Sequence, residues 1–91
     1  MARPKKCRRV CHYPNTLAFG PEESWEGLSA IILTVDEYET IRLIDKEGLD
    51  QEACSDSMQV ARTTVQQIYT SARKKLADAL VEGRPLRIEG G

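Results

Sequence analysis

The stretch from Asp50 to Gly83 reads DQEACSDSMQVARTTVQQIYTSARKKLADALVEG, and its reading decides the fold. Asp50 is an aspartate placed to cap a short helix, with Ala53, Cys54 and Met58 on its inner side. Gln59-Val60-Ala61 breaks the pattern, and a longer helix is predicted from about Arg62 to Glu82. Gly83 stops it, and Pro85 lies just beyond. At about 100° per residue, Val65, Ile68, Ala72, Leu76 and Ala79 fall within an arc of roughly 80°, which is expected to be buried.

A short helix, a tight break and a longer helix match the layout of a helix-turn-helix, whose second helix enters the major groove. With Gln51 as the first position, the interior positions are Cys54, Met58, Val60, Val65 and Ile68, and Ser55 is the small residue where the two helices cross. Gln59 stands where such turns usually take glycine, because the backbone there often has φ > 0. Glutamine either accepts a strain of about 1 kcal/mol or settles into a different turn.

The exposed chemistry of the long helix fits the same reading. Thr63, Gln66, Gln67 and Thr70 are the candidates for reading bases. Glutamine pairs bidentately with adenine, and threonine meets the thymine methyl. Arg62, Arg73 and Lys74 are candidates for phosphate contact, which positions a helix without reading sequence. The alternative is an αα-hairpin with an ordinary polar face.

Upstream, Thr34-Val35-Asp36-Glu37 is a capping box that opens a first helix. Tyr38, Ile41 and Ile44 follow at helical spacing, and Gly48 is the stop. Ala30-Ile31-Ile32-Leu33 is an apolar run too short for a helix, and Cys7–Tyr13 has the makings of a short strand. Leu86-Arg87-Ile88-Glu89 alternates like an edge strand. The expected architecture is mainly α: a three-helix unit with short strands near both termini. One domain is expected overall, with residues 1–29 as a basic arm and irregular segment and residues 30–91 as the helical part and its tail.

Charge is distributed unevenly along the chain. The net charge is −1, yet Met1–Tyr13 carries +5, from Arg3, Lys5, Lys6, Arg8 and Arg9 with no acid. Pro14–Val60 carries −9 and Ala61–Gly91 carries +3. The five cations of the first segment form an arm suited to phosphate. The acids between Asp36 and Asp56 are expected to lie on solvated helix faces.

Several function classes have no support. No phosphate-cradling glycine loop or nucleophile elbow is present, and the lone His12 has no evident carboxylate partner, so no enzyme is expected. No cofactor is implied. No apolar run reaches the roughly 18–20 residues of a membrane span, and none follows the basic start to make a signal peptide. A cytosolic protein with reduced cysteines is expected. Cys7, Cys11 and His12 invite a metal or redox reading, but zinc takes four ligands and the segment offers three. Nearby cations can make Cys7 or Cys11 reactive, while ordinary reduced thiols are the simpler assignment. Cys54 belongs to the core.

The residues Leu33-Thr34-Val35-Asp36-Glu37, Glu47-Gly48-Leu49-Asp50-Gln51-Glu52, Val60-Ala61-Arg62-Thr63-Thr64-Val65 and Ala72-Arg73-Lys74-Lys75-Leu76 resemble region four of the primary sigma factors. That three-helix unit reads promoter DNA, and the resemblance covers about half of the chain. From ARPKKCRRVC near its start to LRIEGG at its close, the chain is also similar to a family of short prokaryotic proteins of unassigned role that are predicted to bind DNA. These resemblances imply a fold and a partner, double-stranded DNA, with transcriptional regulation as the function. The alternative is an interaction module whose basic helix docks an acidic partner such as the transcription machinery. Helix-turn-helix proteins often bind paired half-sites as dimers, so a homodimer is compatible with either resemblance.

Overall fold

The computed structural model describes residue 10 and residues 13–90 of the chain. The basic arm (Arg3, Lys5, Lys6, Arg8, Arg9) and the metal candidates Cys7, Cys11 and His12 lie outside the described residues. Of the Cys7–Tyr13 strand only Val10 and Tyr13 are described, and neither belongs to a strand.

The elements in chain order are β1 (Ala18–Phe19), β2 (Ile31–Thr34), α1 (Val35–Ile41), a π-helical turn (Arg42–Lys46), α2 (Gln51–Met58), α3 (Arg62–Glu82) and β3 (Leu86–Glu89). The fold is therefore mixed α/β, three helices with a three-stranded sheet, rather than mainly α. β3 pairs with β2 in parallel and with β1 antiparallel, giving the order β1-β3-β2. A parallel pair needs a long crossover, and the three helices provide it.

β3 is thus the central strand and not an edge. Its alternation correctly shows one covered face, with Leu86 and Ile88 buried and Arg87 and Glu89 exposed. Alternation reports faces, however, and neighbours come from β1 and β2, which are distant in sequence.

The helix signals are local and hold as read. Thr34 caps α1 through a reciprocal box: its Oγ1 accepts from Glu37 N at 3.1 Å, and its own N–H donates to Glu37 Oε1 at 2.8 Å. The first helix does not run on evenly to Gly48. Past Ile41 it widens into the π turn, where Glu47 N donates to Arg42 O at 2.9 Å. Asp50 caps α2 by accepting from Ala53 N at 2.8 Å. α3 ends at Gly83 with φ 68°, a left-handed cap that suits glycine.

Two apolar clusters lie under α3. One holds Ile31, Leu33, Val35, Ala72, Leu86 and Ile88, and joins the sheet to the helices. The other holds Leu43, Cys54, Met58 and Val65, and joins the π turn, α2 and the start of α3. Val65 and Ala72 are fully buried, whereas Ile68, Leu76 and Ala79 are only half-buried. The expected stripe is therefore wider than the surface that its neighbours cover. Val60 is likewise half-buried, while Ser55 is buried beside Cys54.

Two acids overturn the expectation of solvated faces: Glu37 is 6% exposed and Glu39 is fully buried. Their helix is charged on paper, but a side chain one turn on covers one acid and side chains of α3 cover the other. Glu39 accepts a bidentate pair from Arg42, at 2.9 Å from Nε and 3.0 Å from Nη2. Glu37 accepts from Ser71 at 2.6 Å and from Lys75 at 2.8 Å, pinning α1 to α3. In the irregular segment before β2, Trp25 donates to Pro21 O at 2.8 Å. Its ring lies so close to Gly20 that a Cβ there would meet it at 2.7 Å.

Candidate nucleic-acid interface

The candidate face is built from α2, a three-residue connection and the first half of α3. Gln59 adopts φ 59° and ψ 46°, the left-handed conformation, so the first of its two alternatives holds. Its N–H and that of Val60 both reach back to Ser55 O, closing α2 and turning the chain toward α3. The turn is held from below by the second cluster. Cys54 and Met58 are completely buried, their sulfurs 3.7 Å apart, and the Thr40 hydroxyl lies 3.4 Å from the Met58 sulfur while donating to Asp36 O at 2.9 Å. Burial, and then the Glu39 charge, push the Cys54 thiol up from its ordinary pKa, which keeps it protonated and inert.

On the outer side, Arg62, Thr63, Gln66, Gln67 and Thr70 are all exposed. Among the described residues no side-chain hydrogen bond or ion pair engages them. They share one side of the helix over about 12 Å of axis.

The other two predicted phosphate contacts are exposed but already partnered. Lys74 holds Asp78 at 2.8 Å and 2.9 Å, one turn along the same helix. Arg73 donates to the Tyr69 hydroxyl at 2.7 Å and lies 3.8 Å from Asp45. Both pKa values are raised, by the hydrogen bond to Asp78 in one case and to Tyr69 in the other. Sequence reasoning missed Tyr69 and Asp45 because they lie 24 residues apart, on separate elements.

The second half of α3 has a different surface. Leu80 and Val81 are 83% and 85% exposed. Beside them runs an apolar groove of about 650 Å³, lined by Phe19, Tyr38, Leu76, Ala79 and Leu86 among others. Among the described residues, no group of three or more His, Cys, Asp or Glu is placed to hold a metal ion, and no helix is long and apolar enough to cross a membrane.

Fold and surface define a small mixed α/β protein with a polar helix face that has no side-chain partner among the described residues. The chain belongs to the family described as protein of unknown function DUF134, whose model matches residues 1–91. It is 58% identical to a UPF0251 protein of Desulfitobacterium hafniense strain Y51, over all of this chain and 74% of that protein. It is 52% identical to a UPF0251 protein of Thermoanaerobacter sp. strain X514, over all of this chain and 81% of that one. A UPF0251 protein of Caldicellulosiruptor bescii is also 52% identical, with 64% of its length covered. No solved structure matches the chain.

Proposed function

We propose that this protein binds double-stranded DNA in a sequence-specific manner, with α2 and α3 acting as a helix-turn-helix in the manner of sigma region four, and that it serves transcriptional regulation. The observation that carries the reading is the face of Thr63, Gln66, Gln67 and Thr70. It presents hydrogen-bonding groups that no described residue satisfies, at the start of a helix anchored by Val65 and preceded by a tight left-handed turn. A helix offers such groups usefully to base edges, which present donors and acceptors at fixed positions in the major groove. Arg62 flanks this face, and the arm of Arg3, Lys5, Lys6, Arg8 and Arg9 adds sequence-independent attraction to phosphate.

A salt titration on a selected duplex and a scrambled one tests this. Gln66→Ala and Gln67→Ala should each cost about 1–3 kcal/mol on the selected duplex and much less on the scrambled one. Deleting residues 1–9 should weaken both equally. It should also flatten the dependence of log K on log salt by about 0.9 for each phosphate that the arm neutralises. Equal losses on both duplexes for the glutamine variants would exclude base reading by α3. Absence of duplex binding at low salt would exclude the function itself.

A further inference from the structure

We propose that Tyr69 and Asp45 are positioning residues that hold Arg73 ready for a backbone phosphate, an inference that rests on the DNA-binding reading above. The phenol of Tyr69 has one hydrogen, and it is donated to Asp45 Oδ1 at 2.8 Å. The phenol oxygen is thereby left to accept, and Arg73 Nη1 donates to it at 2.7 Å. The chain of donation runs from guanidinium to phenol to carboxylate. Arg73 Nη1 is 3.8 Å from Asp45, beyond hydrogen-bond distance, so the carboxylate acts on the arginine chiefly through the phenol. The guanidinium carbon also stands 5.4 Å from the centroid of the Tyr69 ring, within cation–π range.

Three features make this a brace rather than a quenched charge. The Arg73 side chain remains 61% exposed. A guanidinium has five N–H donors, and only those on Nη1 are engaged among the described residues, so the rest remain for phosphate. An exposed arginine ordinarily gives up rotamer freedom when it docks, and an arginine already held gives up less. Lys74 offers the contrast: among the described residues its hydrogen bonds go to Asp78 alone, one turn along its own helix, with no third group to brace the pair.

The placement along α3 is also suitable. Arg73 lies seven residues beyond Gln66, two helical turns on and within about 20° of the same line, so about 10 Å separates them. The major groove is about 12 Å wide. With Gln66 at the base edges, Arg73 falls at the groove wall, where the phosphates run.

Asp45 belongs to the π turn, so the brace ties that turn to α3.

A double-mutant cycle on the full chain tests the proposal, using a selected and a scrambled duplex. Arg73→Ala should weaken binding about tenfold on both and flatten the salt slope by about one unit. Tyr69→Phe keeps the ring but loses the hydroxyl. It should weaken both duplexes about fivefold, short of the Arg73→Ala loss because the charge remains, and leave the slope unchanged. In the Arg73→Ala background, Tyr69→Phe should have no further effect, which a merely structural tyrosine would not show. Asp45→Asn still offers a carbonyl oxygen to the phenol and should bind at least as tightly as the parent. The proposal is overturned if the Tyr69→Phe loss is absent, persists undiminished without Arg73, or appears on the selected duplex alone. If the parent binds neither duplex at low salt, the DNA-binding reading fails and this proposal with it; parent binding with additive losses sinks this proposal only.

Discussion

The two halves of α3 are built to opposite plans. From Arg62 to Thr70 the helix rests on a cluster in which Cys54, Met58 and Val65 have no exposure at all, while its outer face is polar and unpaired among the described residues. From Ser71 to Glu82 it rests on the sheet, where Ala72 is buried but Leu76 and Ala79 stay half open beside a groove. There the outer charges are paired and the apolar Leu80 and Val81 face solvent. A recognition surface needs a rigid base, because a side chain can meet a base edge only if its backbone is held in place. The first half has that base. The second half has apolar surface left over and joins the helices to the sheet.

The largest expected effect breaks the comparison at its centre. Val65→Asp should abolish the cooperative thermal melt, since an unpaired charge in that cluster costs several kcal/mol against a total of about 5. Leu80→Asp, on the same helix but 83% exposed, should change stability by less than about 0.5 kcal/mol. Ile68→Asp should fall between them, because Ile68 is half-buried. A loss for Leu80→Asp as severe as for Val65→Asp would show that the second half is covered after all.

Glu39 is the next most sensitive point. Its carboxylate is fully buried against Arg42, so Glu39→Ala takes the bidentate partner from a largely desolvated guanidinium, although Glu47 stays 3.5 Å from it. A cost of about 3 kcal/mol in urea unfolding is expected. Replacing the pair together, Glu39→Leu with Arg42→Met, should recover most of it.

A smaller change should sharpen the first half. Gln59 has φ 59°, which costs a side-chain-bearing residue about 1 kcal/mol, so Gln59→Gly should stabilise the protein by roughly 0.5–1 kcal/mol. With the turn kept in this conformation, α3 holds its position and duplex affinity is unchanged. A destabilised Gln59→Gly would mean that the glutamine side chain makes a contact that offsets its backbone strain.

The smallest effect concerns the tie to the second half. Burial pushes the Glu37 carboxyl up, but Lys75, Ser71 and the Thr34 N–H together outweigh it and hold its pKa below the ordinary 4.5. Its ionised form is therefore favoured in the folded state. That stabilisation is present above the ordinary carboxylate range and is lost as pH falls through the lower folded value. The gap in melting temperature between the parent and Glu37→Gln should be constant near neutrality and narrow below about pH 4, on a scale of about 1 kcal/mol or less. A gap independent of pH would assign Glu37 a role through shape and not charge.

Much of this protein was legible in its residues, and for one reason: the legible features are local. The Thr34–Glu37 box, the Asp50 cap, the end of α3 at Gly83 and the outward face of Thr63, Gln66, Gln67 and Thr70 depend on groups within a turn or two of each other. The left-handed Gln59 was visible as a departure, since the position asks for glycine whatever the rest of the chain does. What tertiary structure decided involves groups brought together from afar. β3 became the central strand because β1 and β2, on either side of it, come from the far end of the chain. Glu39 was buried within reach of Cys54, and Glu37 beneath Ser71 and Lys75, although their spacing matches that of solvated acids. Arg73 acquired Asp45 from another element through Tyr69, one turn away, so that a candidate phosphate contact also has partners of its own. Periodicity and caps report a residue's own helix or strand, whereas burial of charge and the choice of neighbours are set by long-range packing.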